Sequence, residues 1–266
     1  QNYSHLIGAG VITDNMPETD IDGNPRPDPA GTNPDIGAYE NPYGVPQYQS
    51  QVLNVPTDYS TIQAALTAAI ATDTVLVQPG TYTENIFWPE TNGIKLISAG
   101  DSSNTIIDGG GVSSVIYMNP QTATIDTTTL IQGFKITNGG NVSYGGGAFL
   151  NSCGPKILSC HFYDNSSTNG GGLACVNNAS PKITNVSLIS NNSADGGGLF
   201  NEGSRPNLSN VIISDNFASD DGGGVWTDGG ALTLSNITID GNHAGDDGGG
   251  LVILSGSESL ILSNAV

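Results

Sequence analysis

From residue 145 onward, apolar and polar positions recur with a fixed period. Ile157, Ile183, Leu208 and Leu234 align in one column, Cys160, Val186, Val211 and Ile237 in a second, and Phe162, Leu188, Ile213 and Ile239 in a third. Between the last two columns stand His161, Ser187, Ile212 and Thr238, the alternation expected of strands with one buried face. The frame of the repeat is a glycine triplet at 145–147, 170–172, 196–198, 222–224 and 248–250, at intervals of 25, 26, 26 and 26 residues. Each triplet leads into a short apolar run: GGGAFL, GGGLACV, GGGLFN, GGGVWT, GGGLVIL. A period this short, held over five copies without room for a helix, predicts a solenoid whose units stack on one another.

Three short strands fit into each period, so the predicted structure is an all-β parallel β-helix of about seven coils, each about 4.8 Å above the last. Equivalent residues then form vertical files. Ser159, Asn185, Asn210, Asn236 and Asn264 make one file between two strands, and Asn165, Asn191, Asn216 and Asn242 make another. Asn tolerates the left-handed turn conformation, and its amide can bond the amide one coil above. Upstream, the coils are irregular and become regular from about residue 133. Residues 51–79 carry a capping-box pattern at Ser60 and Gln63, with Ile62, Leu66 and Ile70 on one face, which predicts one helix near 61–71. An open solenoid end exposes core and strand edges, and this helix is expected to cover it.

These glycine and asparagine repeats resemble the right-handed, single-stranded parallel β-helix proteins of the pectate-lyase-like fold, over about residues 51–266. The GGG-plus-aliphatic units are similar to those of bacterial polymorphic outer-membrane and related surface proteins. Residues 1–44 do not fit the repeat. Their DIDG, Arg26 and DIGAYE pattern resembles the closing segment of a preceding β-helix unit in multidomain surface proteins; the alternative is a capping arm of this solenoid. The β-helix region is then 45–266. Because the sequence stops at ESLILSNAV in mid-coil, more solenoid is expected to follow.

Charge narrows the partners. Twenty-five acidic residues against six basic ones give a net charge of −19, which argues against nucleic acid or an anionic membrane. No stretch is long and apolar enough for a membrane-crossing helix, so no direct membrane insertion is expected. Cys153, Cys160 and Cys175 form no disulfide framework, and Cys160 lies in an inward column.

Candidate chemistry sits on outward files. Asp195, Asp221 and Asp247 directly precede glycine triplets, with Asp220 and Asp246 beside them; stacked carboxylates suit Ca²⁺ or form a solvated acidic edge. Asp20, Asp22 and Asn24 are spaced like the opening of a calcium loop, although Pro25 stands where such a loop needs glycine. Lys156 and Lys182 are one period apart and Arg205 lies near the same strip, a basic stripe for a polyanionic glycan unless acids at the turn pair with it. Phe149, Phe200 and Trp226 share a file that alternation directs outward, a platform for sugar rings unless loops cover it. No catalytic constellation is evident, and His161 and His243 have no evident partner.

The sequence therefore predicts a secreted or bacterial cell-surface module, structural or adhesive, that engages a polysaccharide or glycoconjugate surface alongside further β-helix domains of the same polypeptide. The alternative is a polysaccharide lyase or glycoside hydrolase acting on an acidic polysaccharide.

Overall fold

The computed structural model of the chain describes residues 7–28, 30–42, 50–257 and 259–265, with side chains to 263. It divides into two units, Gln1–Ser50 and Gln51–Val266. Residues 1–6 of the expected arm, the expected boundary at 45 and the side chain of Asn264 lie outside the described residues.

In the first unit, the acidic motif is a network built around backbone. One Asp20 oxygen accepts from the Asp22 and Asn24 amides at 2.9 and 2.8 Å, and the other accepts from the Glu40 amide at 3.0 Å and from Asn24 Nδ2 at 2.9 Å. These bonds, the Glu40 amide first, lower the Asp20 pKa to about 2. Arg26 Nε pairs with Glu40 at 2.7 Å, and its Nη2 donates to the Asp35 and Gly37 carbonyls. Asp20 is thus committed to four donors and is the anchor of a turn, with the Arg26–Glu40 pair beside it.

The second unit is an all-β, right-handed parallel β-helix of about 8 turns. It has three faces. The first is built from Ile86–Phe87, Ile116–Met118, Ala148–Asn151, Leu173–Val176, Leu199–Ser204, the start of Val225–Asp240, and Leu251–Ile253. The second stacks Val52–Val55, Thr74–Val77, Lys95–Ser98, Leu130–Gln132 and Lys156–Leu158, then the first halves of Lys182–Ile189 and Asn207–Ser214, the middle of Val225–Asp240, and Ser259–Ala265. The third holds Gly80–Thr83, Thr105–Asp108, Lys135–Thr137, His161–Tyr163 and the later halves of the long strands. The predicted apolar columns are the core: Ile157, Ile183, Leu208 and Leu234 are fully buried, as are Phe162, Leu188 and Ile213.

The glycine triplet has two distinct physical roles. Gly196 needs a left-handed backbone, with φ of 62°. Gly198 needs closeness, since a Cβ there would lie 2.6 Å from the Gly224 carbonyl oxygen of the next coil. The bend is therefore backbone stacked on backbone.

The two asparagine files differ. Ser159, Asn185, Asn210 and Asn236 take left-handed φ of 52–56°, as the turn requires. In the second file, the left-handed residues are the preceding ones, Asp164, Ser190, Asp215 and Gly241, while Asn165, Asn191 and Asn216 point inward and are 1% exposed. Asn191 Oδ1 accepts from both the backbone N and the Nδ2 of Asn165, at 3.1 and 3.0 Å; its own backbone N and Nδ2 donate to Asn216 Oδ1 at 2.9 and 3.0 Å, and Nδ2 also donates to the Phe162 carbonyl. Every polar group of the side chain is satisfied away from water.

The helix runs Ile62–Ala68, shorter than the expected 61–71. Its N-cap is Thr61, whose Oγ1 accepts from the Ala64 amide at 3.1 Å, rather than Ser60. Gln63 reaches back to the Phe87 amide and carbonyl, and the Glu84 carboxylate takes the Ile62 and Gln63 amides. Ile62, Ala65 and Leu66 join the core, while Ile70, beyond the last turn, is 45% exposed.

Replacing Asn191 by Ala removes the acceptor of the Asn165 backbone N–H and one of the two acceptors of Asn165 Nδ2, and takes a donor each from Asn216 Oδ1 and the Phe162 carbonyl, all in a dry interior. The variant should lose about 3 kcal/mol or more of unfolding free energy in chemical denaturation, whereas Asn210→Ala on the exposed file should lose about 1 kcal/mol or less.

Candidate functional site

Parallel register turns every outward position into a file with one side chain per coil. Four such files carry chemistry. On the second face, Lys156 pairs directly with Lys182, and the file continues downward through Leu130 to Lys95 and upward to Asn207. Arg205 is off this file, two residues before Asn207; its Nη1 donates to Asn178 Oδ1 at 3.3 Å and its backbone N to the Ala179 carbonyl. Among the described residues, no carboxylate lies within 4.0 Å of either Lys156 or Lys182. Two stacked ammonium groups about 5 Å apart in water repel by about 1 kcal/mol, which the sheet tolerates easily. Among the described residues, no acidic side chain neutralises this charge.

On the first face, Phe149 stands over Tyr117 and under Ala174, followed by Phe200, Trp226 and Val252. The rings meet each other. Phe200 and Trp226 are parallel within 3° at 4.4 Å between centroids, and Tyr117 and Phe149 are 5.2 Å apart. Tyr144 fills the space left by the small Ala174, touching Phe149 at 5.9 Å and Phe200 at 5.8 Å. Phe200 is consequently only 4% exposed, contrary to the expectation of an open platform. Rings stacked along the axis spend their faces on one another and turn edges to solvent, so this file chiefly holds coils together.

The acidic bend is also a ladder. Asp195 Oδ1 accepts from the Asp221 amide at 3.2 Å, and Asp221 Oδ1 accepts from the Asp247 amide at 2.9 Å. Asp220, Asp221 and Asp246 each place one carboxylate oxygen within 4.8 Å of the others, whereas Asp195 and Asp247 are outside this group. Partial burial, then the Asp220 and Asp221 charges, raises the Asp195 pKa against the Asp221 amide bond.

The fourth file, on the third face, runs Lys135, His161, Ser187, Ile212, Thr238. His161, which the sequence left without a partner, has its Nδ1 at the Ser187 hydroxyl. Its ring stacks on Tyr163 at 5.5 Å, and Lys135 Nζ lies 4.2 Å over the same tyrosine. Burial first, and Lys135 second, lowers the His161 pKa. The signal was present in the numbering, since 135, 161 and 187 are each one 26-residue period apart. The three cysteines are buried free thiols, with burial raising Cys153 to about 12 and Cys160 to about 11, so none is a nucleophile at neutral pH.

Among the described residues, no helix is long and apolar enough to cross a membrane. No protein-family model and no curated protein matches the chain. Among solved structures, it is similar to the pectin methylesterase of Aspergillus niger in penultimately deglycosylated form, with a TM-score of 0.52 at 13% identity over 83% of this chain and 86% of that one. The deglycosylated form of the same enzyme gives 0.51 at 13% identity over 82% and 86%, and the rice weevil pectin methyl esterase 0.43 at 13% over 80% and 87%. At this identity the likeness shows the fold, and the chain is a pectate-lyase-like right-handed parallel β-helix.

Proposed function

We propose that this protein is a secreted or bacterial cell-surface module, structural or adhesive in role, that engages an acidic polysaccharide or glycoconjugate along the lysine file of its second face. The observation that carries this reading is the register of Lys156 on Lys182, without a carboxylate partner among the described residues, in a chain of net charge −19. Such a chain has abundant acid with which to neutralise two lysines, and the fold keeps it elsewhere. Lys95, two tiers below Lys156, extends the stripe along the axis. A polymer with regularly spaced anionic groups laid parallel to the axis meets the adjacent Lys156 and Lys182 and, beyond Leu130, Lys95. The Aspergillus niger pectin methylesterase adds support of a general kind, because its name places a similar fold at work on pectin.

Exposed charge pairs contribute about 0.2–1 kcal/mol each, so the Lys156→Ala/Lys182→Ala double variant should bind polygalacturonate about tenfold more weakly than the parent. Raising salt should erase most of the difference. Unchanged affinity in a direct titration would reject the lysine file as the contact. Incubation with the same polymer separates the adhesive reading from a polysaccharide lyase or hydrolase, because only the latter releases unsaturated or reducing ends.

The acidic bend supplies the cation side of the same proposal, with Ca²⁺ held by Asp220, Asp221 and Asp246. Millimolar calcium should raise the thermal midpoint of the parent by several degrees and leave Asp221→Asn unmoved. A parent midpoint indifferent to calcium and to chelator would remove the ion from the account.

A further inference from the structure

The geometry points to an acyl-transfer site at the bend between the second and third faces, with Ser187 as nucleophile, His161 as base and the Asn185 amide as oxyanion donor. This assignment is independent of the lysine file. The three residues line one open depression of about 340 Å³, together with Ser102, Ser159, Cys160, Val186, Asn210 and Ile212.

Each component follows from its place in the stack. Ser187 and His161 are in direct parallel register, one tier apart, and both point outward from the third face. In the neutral ring with its proton on Nε2, Nδ1 accepts the Ser187 hydroxyl, the contact a general base needs. Partial burial first, and the charge of Lys135 in the position beneath second, oppose protonation of the ring. Tyr163, stacked on the imidazole, fixes its plane.

The donor arises from a break in the exposed asparagine file. Asn210 Nδ2 donates to Asn185 Oδ1 at 2.6 Å, and one tier lower the file ends in Ser159 rather than another asparagine. Asn185 Nδ2 therefore has no acceptor among the described residues, and the shorter Ser159 side chain leaves the depression open below it. A side-chain amide two residues from the nucleophile can take a developing oxyanion.

The substrate class is a short O-acyl ester, such as an acetylated sugar, because the depression is open, of only about 340 Å³, and lined mostly by polar side chains. Ser187 Oγ attacks the acyl carbon and its proton passes to His161 Nδ1. The bond from the acyl carbon to the sugar oxygen breaks, and that oxygen takes the proton from His161. Water then attacks the acyl-serine, His161 receives the water proton and returns it to Ser187 Oγ, and a carboxylic acid leaves.

The full chain treated with a fluorophosphonate should acquire one adduct at Ser187, located by peptide mass spectrometry. Ser102 and Ser159 line the same depression without an imidazole and serve as internal controls that should stay unmodified. His161→Gln should slow labelling by about 100-fold, and Asn185→Ala, on an exposed turn, should slow it by a similar factor. 4-Nitrophenyl acetate hydrolysis should fall to background in Ser187→Ala. No adduct, an adduct at another serine, equal labelling in folded His161→Gln, or labelling without turnover would each overturn the assignment.

Discussion

Axial stacking of backbone on backbone is the constraint from which the rest of this molecule follows. At the glycine bend, the carbonyl of one coil occupies the space that a side chain of the coil below would need, as Gly198 under Gly224 shows. Next to it, the inward asparagines pass two hydrogen bonds per tier from one amide to the next. A slip of one residue would turn each asparagine out of the core and bring a left-handed position onto a residue that resists it. Register is therefore set twice, by shape and by hydrogen bonding.

Fixed register forces like residues together, and the protein handles the consequence differently at each file. The acidic bend relieves its own repulsion: Asp195 and Asp221 each accept a backbone amide from the coil above, so negative charge is absorbed into the ladder. The aromatic file turns stacking into cohesion, with Tyr144 bridging Phe149 and Phe200 beside the small Ala174 that separates them. The stacked lysines have no carboxylate partner among the described residues, which is why they stand out as a contact surface in so acidic a chain.

What the sequence made legible was the part that repeats. Core columns, glycine bends and the outer asparagine turn could be aligned because the interval stays at 25 or 26 residues. Lys95, Phe87 and Tyr117 could not be assigned to their files, since the coils they belong to contain loops such as that between Met118 and Leu130. Arg205 was placed on the lysine stripe by proximity in number, but pairing of Lys182 with Asn207 puts it two residues away. Ile70 was given a buried place by helical periodicity, yet the helix ends at Ala68 before that period completes. The inward asparagines read as turn residues because position alone does not distinguish a left-handed Asn from the inward neighbour of a left-handed Asp or Ser.

Structural files in this β-helix are uniform, and that uniformity is itself informative. Inward asparagine follows asparagine, and glycine follows glycine, because each tier must present the same shape to the next. The file Lys135, His161, Ser187, Ile212 and Thr238 changes chemistry at every tier, and the adjoining asparagine file breaks at Ser159 beside it. Neither change continues a like-on-like ladder: a serine cannot extend the amide file, and Lys135, His161 and Ser187 meet across tiers through a cation–π contact on Tyr163 and a hydrogen bond instead. Where a repeat gives up like-on-like stacking for a set of unlike polar side chains on one outward face, the departure is better explained by what the surface contacts than by what holds it together. On that reasoning the third-face bend, rather than the more regular files, is where this scaffold differs from a passive stack.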